Sequence, residues 1–197
     1  AGISGSIELC IIDAPIDLIT VLGGTPDLGG IWTPTLNSGT GVFNPRIDLA
    51  GTYTYTVGAN SNCNFTDSAT STVTIQPIPN AGRNGSLSIC ENLSPVDLFD
   101  SLGGSPTTGG TWNPVLASGS GIFDPTVDAP GRYTYSIFSG NPCNITATAS
   151  VIVTIIELPD AGTDANLDLC STDAAVDLFT ILGGTPDAGG VWSPALS

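Results

Sequence analysis

The sequence predicts an all-β protein: tandem antiparallel β-sandwich repeats of about 80 residues, arranged as a rod. Three observations predict it. The stretch LGGTPDLGGIWTP at 22–34 returns as LGGSPTTGGTWNP at 102–114 and LGGTPDAGGVWSP at 182–194, a fixed 80-residue period. Tyr53, Tyr55 and Val57 alternate with Thr52, Thr54 and Thr56, the period of a half-buried strand. Short runs end in Gly, Pro or Asn about every 8–12 residues, the spacing of strands and turns in a sandwich.

Three copies begin with AGISGSIELC, AGRNGSLSIC and AGTDANLDLC. They divide the chain into repeat 1 (1–80), repeat 2 (81–160) and the N-terminal half of repeat 3 (161–197), which stops part-way and so implies a longer natural chain. The segment 14–22 is short and rich in β-branched residues, and reads as a strand with one helical turn. Asp17, Asp97 and Asp177 recur before a Leu, as turn-capping residues do. In the glycine stretch a phosphate cradle would need a helix N-terminus after it and usually a Lys. A β-branched, proline-bounded segment follows instead, and the chain has no Lys. The glycines therefore read as a turn, with Pro26 and Pro186 early in it.

After the tryptophan come SGTGVFNP and SGSGIFDP, then the paired tyrosines. In the closing run Ala69, Ser71, Val73 and Ile75 form one face and Thr70, Thr72 and Thr74 the other. PIPNAG (77–82) and ELPDAG (157–162) read as semi-rigid junctions, because proline fixes φ.

Composition excludes several functions. Eighteen acids face three arginines, giving a net charge of −15, with no His or Met and only 11% charged residues. Nucleic acid and anionic lipid both require cationic side chains. No apolar run reaches the ~20 residues of a membrane span, and no basic, apolar leader opens the chain. Without His there is no Ser–His or Cys–His pair, and carboxylates that recur in every copy do not make one active site. The chain is not read as an enzyme, and no cofactor is implied.

Cys10 and Cys63 stand 53 residues apart, as do Cys90 and Cys143. One disulfide per repeat, Cys10–Cys63 and Cys90–Cys143, is the economical reading over free structural thiols. It leaves Cys170 with a partner beyond the segment and places the chain in an oxidising, extracellular compartment. Trp32, Trp112 and Trp192, one per copy, read as core anchors with Phe43, Phe123, Tyr53 and Tyr133. The alternative makes the tryptophans a glycan-stacking platform. Asp48 and Asp128 precede Gly-x-Tyr-x-Tyr, a tyrosine-corner pattern in which the phenol bonds back to the backbone. Asp160, Asp164 and Asp168 straddle a junction and are the candidate ligands for calcium, a cation that takes oxygen donors.

The order Gly29-Gly30-Ile31-Trp32, Gly41-Val42-Phe43-Asn44-Pro45, Gly51-Thr52-Tyr53-Thr54-Tyr55 and Cys63 recurs at 109–112, 121–125, 131–135 and Cys143. It resembles the immunoglobulin/PKD-like repeats of very large Bacteroidota cell-surface proteins, including gliding-motility adhesins exported by the type IX system. That resemblance implies immunoglobulin-like sandwiches in an adhesive stalk or filament at the bacterial surface. The partners it implies are neighbouring repeats, further copies of the chain or surface glycans. It also makes Ser68 and Ser101, in Asp-Ser-aliphatic triplets, O-glycosylation candidates of a glycoprotein. The sequons at Asn64 and Asn144 carry no weight in a bacterium.

Overall fold

The computed structural model describes residues 1–39, 41–58, 65–119 and 121–195; Cys63 and Asn64 lie outside the described residues. The chain is all-β. In the first copy the strands are β1 (Gly5–Cys10), β2 (Ile16–Asp17), β3 (Ile31–Thr33), β4 (Val42–Phe43), β5 (Gly51–Val57) and β6 (Asp67–Gln76). The second copy repeats them as β7 (Gly85–Cys90), β8 (Val96–Asp97), β9 (Thr111–Asn113), β10 (Ile122–Phe123), β11 (Gly131–Phe138) and β12 (Thr146–Ile156). Each copy has a four-stranded sheet, ordered β1-β6-β5-β3 or β7-β12-β11-β9, and a small two-stranded one, β2-β4 or β8-β10.

The sequence pattern predicts antiparallel pairing throughout, and the large sheet corrects this by being mixed. β5–β6 and β3–β5 are antiparallel, but β1 runs parallel to β6, pairing Ile7 with Val73 and Leu9 with Ile75; β7 and β12 repeat the arrangement. Parallel neighbours need a long connection. Here the connection is the body of the copy, since the paired strands are its first and last.

Alternation decides which side chains fill the core. Tyr53 and Tyr55 of β5 and Ala69, Ser71 and Val73 of β6 are buried, while the threonines between them are exposed or half-buried. Phe43 and Leu18 close the other side, and both are fully enclosed. Leu18 opens a 3-10 turn, Leu18–Val21, whose N-cap Asp17 accepts a hydrogen bond from the Ile19 N–H. The segment 14–22 is thus a two-residue strand followed by one tight turn. The second copy gathers its buried residues into one cluster around Leu98, Phe123, Tyr133 and Val151. The first splits its own between a cluster around Phe43 and another around Tyr55. None of these clusters mixes residues of the two copies.

Residues 161–195 keep only the local turns. Thr163 bridges Gly183, and a 3-10 turn spans Leu178–Thr180 behind its cap Asp177. Among the described residues no strand forms there.

Candidate functional site

The most informative chemistry lies between the copies. Cys10 is bonded to Cys143, with Cα atoms 4.8 Å apart, and Cys90 and Cys170 are free. This corrects the pairs Cys10–Cys63 and Cys90–Cys143: the bridge joins one copy to the next. The physical reason is the placement of the two ends. Cys10 terminates β1 beside Gln76, the last residue of β6. Cys143 lies in the turn after β11, closed by Ser139 N–H to Ile145 O (2.9 Å) and Asn144 N–H to Gly140 O. That turn docks on the end of the first sheet, where the Gln76 side-chain amide donates to the Ser139 carbonyl and Cys143 Sγ lies 3.4 Å from Gln76 O. The Oε1 of Gln76 is buried there without a partner.

The bridge spans 133 residues. In the chain-entropy account, closing so long a loop in the unfolded state stabilises the folded one by about 5 kcal/mol. The proline junction adds a second fastening. Asn80 accepts from Thr107 N–H at 2.7 Å through its carbonyl, and its side chain donates to Ser105 O at 3.0 Å.

The next feature is a cleft beside Trp32 and beside Trp112. Trp32 packs on Tyr55 with ring centroids 4.9 Å apart, and Trp112 on Tyr135 at 5.3 Å. Both indoles are half-buried, and Trp192 is 41% exposed. Trp32 and Trp112 pack at the edge of the cores, whereas Phe43 and Phe123 are enclosed and Tyr53 and Tyr133 buried. The cleft beside Trp32 holds about 380 Å³ between Asp17, Leu28, Leu36, Gly41 and Tyr55. A counterpart of about 260 Å³ lies beside Trp112, lined by Gly110, Leu116, Gly119 and Gly121.

The second tyrosine of each pair sets this cleft. Tyr55 Oη donates to Asp27 O at 2.7 Å and accepts from Gly30 N–H at 2.8 Å. A Cβ on Gly30 would fall 2.5 Å from Tyr55 Cζ and 2.7 Å from Thr56 O. The glycine stretch is therefore a turn strapped to the sheet by a phenol, where backbone and ring approach too closely for any side chain.

The first tyrosine makes the expected corner. Tyr53 Oη donates to Leu49 O and Tyr133 Oη to Ala129 O, both at 2.7 Å. Asp48 beside it is 4% exposed. Its carboxylate accepts from Ser38 N–H (2.9 Å), Ser38 Oγ (2.6 Å) and Asn44 N–H (2.7 Å). Burial pushes the Asp48 pKa up, but these hydrogen bonds outweigh it and hold the carboxyl below its ordinary range; Asp128 is held the same way by Ser118 and Asp124. Burial and the nearby carboxylate push the Tyr53 and Tyr133 phenols up. These acids tie one loop to another, and they accept from donors already in place.

The calcium candidates are engaged or dispersed. Asp160 accepts from Gly162 N–H at 2.7 Å, and its own N–H donates to Asp187 at 3.0 Å. Asp164 and Asp168 are exposed, and among the described residues no three acidic or other ligating side chains form a metal-holding group. Asp160 repeats what Asn80 does at the previous junction, where Gly82 N–H donates to Asn80 Oδ1 at 2.9 Å. Ser68 is exposed near the start of β6; Ser101 is half-buried at the end of a 3-10 turn. No helix among the described residues is long and apolar enough to cross a membrane.

Sequence spacing alone missed the bridge between copies. In an 80-residue period, separations of 53 and 133 residues differ by one copy. The chain matches no family model and no curated protein.

Proposed function

We propose that the chain is a segment of an extracellular stalk or filament, structural and adhesive in role, at a bacterial cell surface. Its units are immunoglobulin-like sandwiches over 1–80 and 81–160, with 161–197 opening a third, arranged as a rod. The Bacteroidota adhesin repeats that the sequence resembles supply the setting. The observation that carries the reading is the Cys10–Cys143 bridge between consecutive copies. A chain tied in this way passes tension from copy to copy through a covalent bond, even when a sheet opens. A disulfide of this kind persists in an oxidising compartment. A net charge of −15 keeps such chains soluble and mutually repelling.

Single-molecule pulling from residues 1 and 197 tests the reading. The oxidised chain hides the 133-residue loop, so reductant should lengthen the fully extended chain by roughly 480 Å at about 3.6 Å per residue. Equal extension in both states would sink the proposal. A second reading, a glycan-binding module on Trp32, Trp112 and Trp192, is favoured by the recurrence of the cleft beside Trp32 and Trp112. Tryptophan fluorescence that stays unchanged as oligosaccharide is added would remove it.

A further inference from the structure

The end of the second copy is an uncovered version of the end of the first. Cys10 closes β1 in register with Gln76, and Ile11 N–H donates to Gln76 O at 3.0 Å. Cys90 closes β7 in register with Ile156, and Glu91 N–H donates to Ile156 O at 3.1 Å. The turns that follow match: Asp13 N–H donates to Cys10 O at 3.0 Å and Leu93 N–H to Cys90 O at 3.1 Å. The covering differs, and so do two side chains beside it: Asp13 and Gln76 of the first end are Leu93 and Ile156 at the second. Cys10 is 1% exposed beneath the turn that carries Cys143, whereas Cys90 is a half-buried free thiol beside an Ile156 that is 51% exposed.

We propose that Cys90 is the anchor of a second cross-brace, closing on a cysteine 133 residues beyond it in a following copy, as Cys10 closes on Cys143. The first junction identifies the occupant: a turn of the form Ser139-Gly140-Asn141-Pro142-Cys143, set at the end of the next sheet. Cys170 repeats the anchor position, with its N–H on Asp173 Oδ2 at 2.7 Å as Cys10 N–H is on Asp13 Oδ2 at 2.8 Å. The second copy is then tied forward by Cys90, which ends its first strand, and backward by Cys143 in its turn. The proposal requires only the docking of copy on copy, and stands apart from the stalk reading.

The bond forms by thiol–disulfide exchange with a small-molecule disulfide. The Cys90 thiolate displaces one half of that oxidant, and the incoming thiolate displaces the other. Two protein thiols lose two protons and two electrons, and the oxidant leaves as two thiols.

The test uses the 197-residue chain followed by a second helping of residues 118–160, which completes a third copy at the same period. After refolding with glutathione disulfide and alkylation, trypsin cuts at the arginines. Cys10 then lies in 1–46, Cys63 in 47–83, Cys90 in 84–132, and the added cysteine in the last fragment. The expected map joins 84–132 to the last fragment and 1–46 to the fragment that begins at Tyr133. Alkylated Cys90 beside an intact Cys10–Cys143 link overturns the proposal. So does Cys90 joined to any other fragment, or the absence of both links, since both rest on one mode of docking. In the Cys143→Ser variant the link from Cys90 should persist undiminished, and its loss would also overturn the assignment.

Discussion

Residues 161–195 and the two copies before them share their landmarks but not their structure. Both have the bridge to the glycine stretch, the aspartate-capped 3-10 turn and the turn after the cysteine. Only the copies have β1 or β7, because that strand is held by the parallel ladder to β6 or β12. Among the described residues 161–195 have no such partner, and the counterpart of β1 stays irregular. Hydrogen bonds that close within a few residues form wherever their sequence stands. A strand whose partner lies more than sixty residues away forms only when that partner is folded.

The sharpest way to break the contrast is to make the second copy resemble 161–195. Val151 is fully buried in β12, in register with Gly85 of β7. Val151→Asp would bury an unpaired carboxylate, at a cost of more than about 4 kcal/mol. Amide exchange should then lose its protection over 85–90 as well as 146–156, while the 3-10 turn at 98–101 relaxes only to the level of 178–180. Protection retained in β7 would show that this strand stands without β12.

Acid separates the regions next. Asp48 and Asp128 are buried carboxylates held by strong donors, and 161–195 contain no counterpart to them. Their pKa values are lowered in the folded chain, so the unfolded chain binds more protons and stability rises with pH. Their contribution is complete above about pH 4, the ordinary aspartate range, and is lost as pH falls through the lowered folded values. Asp48→Asn or Asp128→Asn should cost about 2 kcal/mol at neutral pH and flatten the acid limb of denaturant midpoint against pH. An acid limb as steep in the double variant would place the effect on other carboxylates. The phenols act oppositely. Tyr53 and Tyr133 are raised, so their contribution is complete below about pH 10 and is lost as pH rises through the raised values.

What could be read from the sequence follows the same division between local and distant. The period, the Tyr/Thr alternation of β5, the capping aspartates and the turn made by the glycines are local patterns, and the structure contains each of them. The parallel pairing of β1 was not legible, since Ile7 and Leu9 alternate equally well beside a neighbour running either way. Cys10 could not name its partner for a related reason, because a periodic sequence offers Cys63 and Cys143 at equivalent positions of consecutive copies. The tryptophans were placed in the core by their recurrence; their half-burial depends on Gly41 and Gly121, which leave one side of each indole open. Asp160 had the composition of a cation ligand, but its carboxylate is turned to a backbone N–H two residues on.

The smallest effect tests the comparison most finely. Tyr135 Oη accepts from Gly110 N–H and donates to Thr107 O, both at 2.7 Å, and its ring lies against the position a Gly110 side chain would occupy. Gly190, the matching glycine of 161–195, has nothing within 4 Å at that position. Tyr135→Phe keeps the ring and removes both bonds, leaving a half-buried donor and acceptor to water at a cost of about 1–2 kcal/mol. Exchange at Gly110 should rise toward the rate at Gly190, while β11 and β12 keep their protection. Tyr133→Phe removes one bond at the other end of the same copy and should leave Gly110 unchanged. If Gly110 responded equally to both variants, the strap would be a property of the whole sheet and not of the one phenol that reaches it.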